Sequence, residues 1–321
     1  MTISDPGSCA TRGELGVELN LRHGGVARTS LRYELAGEGG PVLFVTGGIS
    51  AGRHAFASMS FPEPGWWQSQ SNSFDTARYR ILSFDWIGAD GTIDLPIDPA
   101  DQAETIALLL DHLRIERLHA FIGSSYGGMV GMHFASRYAA RVGGLLAISA
   151  AGASHPFSSA NRALQRRALA LGKAGGDPAA GVKLARAMAM LTYRTPQEFV
   201  ARFDGQVEVS GNRVTVPAES YLDAQGDKHA LRMSAAAYRR LSESIDLHRI
   251  DGGGIRVRGS LLGVDSDALV RPADVEALAR SIPGARFHLI TSHFGHDAFL
   301  KEDAQVADQI AAFLESLENQ R

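Results

Sequence analysis

Short apolar runs alternate with stretches of helical periodicity along most of the 321-residue chain. The short apolar-rich runs at 41–46, 79–85, 117–122, 143–149, 256–264 and 286–291 are strand candidates. Helical periodicity falls between or after them, near 101–114, 127–139, 273–281 and 303–317. This rhythm predicts an α/β fold, with a mostly parallel sheet and crossover helices on its faces. Residues 15–36 instead alternate with period two and carry Gly24-Gly25 near the middle, which predicts an antiparallel hairpin. The rhythm breaks at 156–250, a segment rich in Ala, Leu, Arg and Met that reads as helices. The division that follows is a core in two parts, 1–155 and 251–321, with a helical lid at 156–250. A lid belongs over the carboxyl edge of the sheet, where ligands bind in open α/β folds.

The chemistry starts where the third parallel run ends. Gly123-Ser124-Ser125-Tyr126-Gly127 is a G-x-S-x-G pattern placed between a strand and a helix. So sharp a turn needs small residues on both sides of the nucleophile and lifts its hydroxyl clear of the sheet. Ser125 is therefore the candidate nucleophile. Taking Ser124 instead would put Ile122 and Tyr126 at the glycine positions.

A serine hydroxyl needs a histidine to accept its proton, and that histidine needs a carboxylate to hold its tautomer. Of eleven histidines, His23, His112 and His248 stand in polar or helical contexts, His119 and His288 in strands, and His133 on the helix after the turn. His296 follows the last strand in a loop before the C-terminal helix, with His293 as its neighbour and alternative. The run ending at Val264 leads into Asp265-Ser266-Asp267, and Asp267, deeper in the loop, is the candidate acid, with Asp265 the alternative. The chain order Ser, Asp, His is that of the α/β-hydrolase fold. In that fold one oxyanion N–H follows the nucleophile and another lies after an earlier strand, here Thr46-Gly47-Gly48-Ile49. The Tyr126 and Gly48 amides are assigned, with Ile49 close behind Gly48.

Composition narrows the class further. A 45% hydrophobic content supports a large core, and a net charge of -3 without a basic cluster excludes a nucleic-acid partner. The single cysteine, Cys9, and an N-terminus without an apolar signal core point to a cytoplasmic protein. No apolar run reaches the about 18 residues of a membrane span. Metal-ligand spacings and Gly-rich phosphate loops are missing, so no metal and no bound cofactor are expected.

With these residues in place, the chain resembles the homoserine O-acyltransferase (MetX-type) family of the α/β-hydrolase superfamily, from about residue 19 to 317. The likeness rests on Gly123-Ser124-Ser125-Tyr126-Gly127-Gly128-Met129 and on Gly295-His296-Asp297-Ala298-Phe299-Leu300. In the lid it rests on Leu164-Gln165-Arg166, Leu191-Thr192-Tyr193-Arg194, Glu219-Ser220-Tyr221-Leu222 and Asp246-Leu247-His248, in the family's order. The resemblance implies transfer of an acetyl or succinyl group from acetyl-CoA or succinyl-CoA to the hydroxyl of L-homoserine, an early step of methionine synthesis. Acyl-CoA is then a substrate rather than a held cofactor. It also implies that Arg166 meets the acceptor's carboxylate, that Asp297 meets its ammonium group, and that lid helices pair two copies into a homodimer. The sequence departs from the family at 87–92, at the longer oxyanion loop 46–52 and at Tyr126. These positions line the site, so the donor and the acceptor, homoserine or serine, stay open. Arg53 in the altered loop is a candidate partner for a succinyl carboxylate. An esterase or thioesterase with the same three residues is the alternative activity, and a non-catalytic binding module the remote one.

Overall fold

The computed structural model describes residues 9–319. Two long strands, β1 (Ala10–Leu21) and β2 (Gly25–Ala36), form the expected hairpin. The turn occupies 22–24, and Gly25 opens β2 in the left-handed region at φ +76°. Then come β3 (Val42–Thr46), β4 (Arg80–Phe84), α1 (Pro99–His112), β5 (Ala120–Ser124), α2 (Tyr126–Arg137) and β6 (Gly144–Ile148). The rhythm resumes with β9 (Arg258–Val264), α8 (Pro272–Ser281), β10 (Arg286–Ile290) and α9 (Asp303–Glu318). Between β6 and β9 lie α3 (Pro156–Ala174), α4 (Pro178–Tyr193), α5 (Pro196–Phe203), the short strands β7 (Glu208–Ser210) and β8 (Arg213–Thr215), α6 (Glu219–Ala230) and α7 (Ala235–Leu247).

Eight strands make one sheet in the order β1-β2-β4-β3-β5-β6-β9-β10, and β2 alone runs against the others. The chain thus has the α/β-hydrolase fold. Its apolar runs are continuous because side chains of β3 alternate between two cores. Val42 and Phe44 pack with α1 and α2, while Leu43 and Val45 pack with α9 and the aromatic segment around Trp67. Two boundaries differ from the sequence reading: the hairpin begins at Ala10 rather than near 15, since β1 pairs with β2 along its whole length, and one parallel strand starts late. The run at 117–122 becomes a strand only from Ala120, because Leu118 makes a lone bridge to Val142, and the ladder then continues to Ser124. The hairpin β7–β8 went unread. Val207, Val209, Val214 and Val216 alternate with polar residues around Gly211-Asn212, but the strands are three residues long, exposed, and set within a segment read as helical.

Candidate active site

The sharp turn after β5 is a packing requirement visible atom by atom. Ser125 takes φ 53° and ψ -119°, a strained conformation for a residue with a side chain. A Cβ on Gly123 would stand 2.4 Å from the Gly127 backbone, and one on Gly127 would stand 2.8 Å from Thr46. The same glycine donates its N–H to the Gly47 carbonyl at 2.9 Å, which ties the turn to the loop after β3. Ser124 is fully buried in β5, so its hydroxyl does not face the cavity.

Ser125 Oγ lies 2.8 Å from His296 Nε2, and His296 Nδ1 lies 2.7 Å from Asp267 Oδ2. The other oxygen of Asp267 accepts the Leu269 and Val270 amides at 2.9 and 2.8 Å. With Nδ1–H donating to Asp267, Nε2 is free to accept the serine proton. The imidazole is buried on a 3-10 turn, Gly295–Leu300, edge-on to Phe299. Burial pulls its pKa down, but the charge and hydrogen bond of Asp267 outweigh that, and the net shift is upward. Gly295 makes the turn possible. It sits at φ 62°, and a Cβ there would approach the Tyr193 carbonyl to 2.9 Å.

The two alternatives are occupied elsewhere. Asp265 accepts the Ser292 amide at 3.0 Å and so braces the loop. The His293 ring packs at a tilt against Phe294, and its carbonyl accepts the Thr195 hydroxyl.

The serine and histidine open onto a cavity of about 180 Å³ beneath α3, α4 and α7. Gly48 and Ile49 both line it. The Gly48 carbonyl is held by Trp86 Nε1 at 3.0 Å and by the Ala51 amide at 2.9 Å, which fixes the loop's orientation. Tyr126 opens α2, so its N–H has no partner inside the helix. Its side chain points away from the cavity, with the hydroxyl 2.6 Å from Ser244 Oγ and the ring against Trp86. Such a site can attack a carbonyl carbon and shelter the resulting oxyanion.

Asp297 lines the cavity beside an ion pair to Arg194 Nε at 3.2 Å. Burial raises its pKa, and Arg194 partly offsets this. The arginines at the site are not those of the sequence reading. Arg166 is not among the lining residues: it donates to Ser242 Oγ at 3.0 Å and pairs with Asp246 at 2.8 Å. Its guanidinium bends toward Ser242 on α7, and Arg162, one turn earlier on the same face of α3, lines the cavity in its place. Arg186 on α4 also faces it, over the Tyr193 ring, with no carboxylate in ion-pair range among the described residues. Sequence reasoning passed over Arg186, although it stands just upstream of the matched Leu191–Arg194 stretch. Arg53 points to Asp85, with its amide 2.8 Å and its guanidinium 3.7 Å away, and does not line the cavity. Among the described residues no group of three or more His, Cys, Asp or Glu is placed to hold a metal, and no helix is long and apolar enough to cross a membrane.

Fold and site together define a serine-containing member of the α/β-hydrolase fold, and the model of that family matches residues 40–303. The chain is 51% identical over 310 residues to the homoserine O-succinyltransferase of Xanthomonas campestris pv. campestris, covering 95% of this chain and 83% of that one. It is 34% identical over 289 residues to a homoserine O-acetyltransferase of Thermus thermophilus, covering 80% and 73%. A crystal structure of homoserine O-acetyltransferase from Bacillus anthracis superposes with a TM-score of 0.86 at 18% identity, over 95% and 97% of the two chains, a likeness of fold. The chain belongs to the homoserine O-acyltransferases of the α/β-hydrolase fold, and it is an acyltransferase.

Proposed function

We propose that this acyltransferase moves an acetyl or succinyl group from coenzyme A to the hydroxyl of L-homoserine, through an acyl-enzyme on Ser125. One observation carries the reading: the cavity that holds Ser125 and His296 also presents Arg186 and Asp297. A guanidinium fork suits a carboxylate, and a carboxylate suits an ammonium group, so the pair fits a free amino acid. Arg186, rather than Arg166, is the partner for the acceptor's carboxylate, and Asp297 the partner for its ammonium group. Relatives named for homoserine supply the acceptor.

In the first half-reaction His296 takes the Ser125 proton as Oγ bonds to the thioester carbon. The Tyr126 amide and that of Gly48 hold the oxyanion. The C–S bond then breaks, its electron pair leaves on sulfur, and His296 passes the proton to the departing thiolate. In the second, His296 takes the homoserine hydroxyl proton, the new C–O bond forms, and the bond to Ser125 breaks. The proton returns to Ser125. Helices α3–α7 act as a lid that keeps water from the acyl-enzyme. Exposed leucines on α3 and α4, among them Leu164, Leu171, Leu184 and Leu191, support a homodimer formed through that lid. A cytoplasmic location, with acyl-CoA and homoserine as partners, completes the proposal.

The test is thiol release from acetyl-CoA or succinyl-CoA with homoserine, with serine and with neither. Homoserine-dependent release carries the reading. Serine-dependent release would move the acceptor, and release that ignores both amino acids would make the protein a thioesterase.

A further inference from the structure

The acceptor accounts for Arg186 and Asp297 and leaves a second guanidinium on the same cavity wall. Arg162 is buried on α3 and lines the cavity with Ser125 and His296. Its Nε and Nη2 reach Asp246 Oδ1 at 2.8 and 2.7 Å, and Nη2 also donates to Ser154 Oγ at 2.9 Å and Ser159 Oγ at 3.2 Å. Its third nitrogen, Nη1, makes no hydrogen bond to any described residue. Asp246 does not belong to Arg162 alone, because Arg166 brings Nη1 to 2.8 Å from its other oxygen. Two guanidinium groups therefore share one carboxylate, and the trio keeps one net positive charge. The remaining acids nearby do not pair with Arg162: Glu243 pairs with Arg239 and Arg240, and Asp297 faces Arg194 on the acceptor side of the cavity. A buried cation with an unused donor beside a cavity calls for an anion from outside. Because its other nitrogens are already fixed, Arg162 is preorganised for that anion.

We propose that Arg162 reads the distal carboxylate of a succinyl group, so that the protein takes its acyl from succinyl-CoA in preference to acetyl-CoA. The inference rests on the reading of Ser125 as the residue that accepts the acyl group. With the succinyl carbonyl at Ser125, its two methylenes lie along the apolar lining that includes Met129, Ile245 and Leu269. The far carboxylate then meets Nη1 of Arg162. It is bound and not altered: the bond to Ser125 forms and the C–S bond breaks as described, with the proton leaving on the thiol. Two guanidinium groups, Arg162 and Arg186, thus serve two carboxylates, one from donor and one from acceptor.

The acylation half-reaction tests this without any acceptor. The full-length protein is mixed with succinyl-CoA or acetyl-CoA, and acyl-enzyme at Ser125 is followed by intact-protein mass spectrometry and thiol release. The wild type is expected to favour succinyl-CoA in kcat/KM. Arg162→Gln should lower the succinyl-to-acetyl ratio by about 30-fold, as the loss of a charge-assisted pair implies, and Arg162→Lys should restore part of it. Arg166→Gln removes the other partner of Asp246 and should leave the ratio in place. A wild-type preference for acetyl-CoA would overturn the proposal, as would equal shifts in the ratio for Arg162→Gln and Arg166→Gln. If Arg162→Gln does not fold, the Arg162→Lys ratio decides in the same way. A succinyl preference at the acylation step without homoserine-dependent turnover would support Arg162 while refuting the acceptor. Acyl-enzyme from neither donor would refute both.

Discussion

His296 answers to two opposed requirements. Its pKa is held above the ordinary histidine value by Asp267 against the pull of burial, yet it must be neutral to accept a proton from Ser125. Acylation rate should therefore rise with pH through that raised pKa and level off above it, which a kcat/KM profile for the donor will read. Stability has the opposite sign. A raised folded-state pKa contributes stability that is complete below about 6.5, the unfolded value, and is lost as pH climbs through the folded one. Asp267→Asn removes the group that raises the pKa and sets the tautomer. It should move the acid limb of the profile downward and cost on the order of 10⁴ in rate. At the acceptor end, Arg186→Ala should raise the KM for homoserine about 100-fold, as expected for a lost charge-assisted pair, and slow acyl-enzyme formation far less. Equal losses in both half-reactions would remove Arg186 from the acceptor subsite.

Among the elements, the β5–α2 turn has the least room. Gly127→Ala puts a methyl group against Thr46 and the Gly47 carbonyl, so the loop after β3 and the turn must part. A cost of about 3 kcal/mol is expected, with slower labelling of Ser125 by a phosphonate, measured beside the melting temperature. Helix α2 also carries a pair that the sequence did not signal. His133 Nε2 lies 3.2 Å from His248 Nδ1, and His248 Nε2–H donates to the Ala151 carbonyl at 2.8 Å. Burial lowers these two pKa values to about 4 and about 3. Depressed histidines cost stability as pH falls below about 6.5, because the unfolded chain takes up protons first. The melting temperature should fall between pH 6.5 and 5, at up to about 1.4 kcal/mol per pH unit for each histidine. The double variant His133→Gln/His248→Gln should flatten that slope, and an undiminished slope would exonerate the pair. In sequence His133 is one polar residue on a helix and His248 one after another. Their meeting depends on α7 leading back to the sheet beside α2.

For the whole molecule, the decisive contact is between the helical segment and the core. Arg240 on α7 is buried and donates to Asp94 Oδ1 at 2.9 Å and to the Asp94 carbonyl at 2.7 Å. The hydroxyl of Tyr126 joins α2 to α7 through Ser244. Arg240→Ala should loosen this attachment and raise thioester hydrolysis relative to transfer. Product analysis of free acid against acyl-homoserine will measure the change, and an unaltered ratio would count against a water-excluding lid.

Much of this was legible in the chain. The inner parallel strands could be read because their side chains are buried on both faces, which leaves apolar runs, whereas edge strand β10 is mostly exposed and mixes Arg286 and His288 with apolar residues. The turn at Ser125 was legible because only glycine fits its neighbours, and Asp267 and His296 because each follows a strand end. These are local constraints, and local constraints are written in adjacent residues. Which arginine faces the cavity is not of that kind. Arg162 and Arg166 share one helix, and the packing of α3 against α7 decides that Arg162 lines the site while Arg166 turns to Ser242. Arg186 becomes part of the site only because α4 crosses above the carboxyl edge, more than sixty positions from Ser125 along the chain. Sequence by itself determined the fold class and singled out Ser125, His296 and Asp267, which the structure brings within hydrogen-bond distance of one another. Tertiary structure decided which charges line the cavity, because the partners each side chain finds on distant elements are set by the packing between those elements.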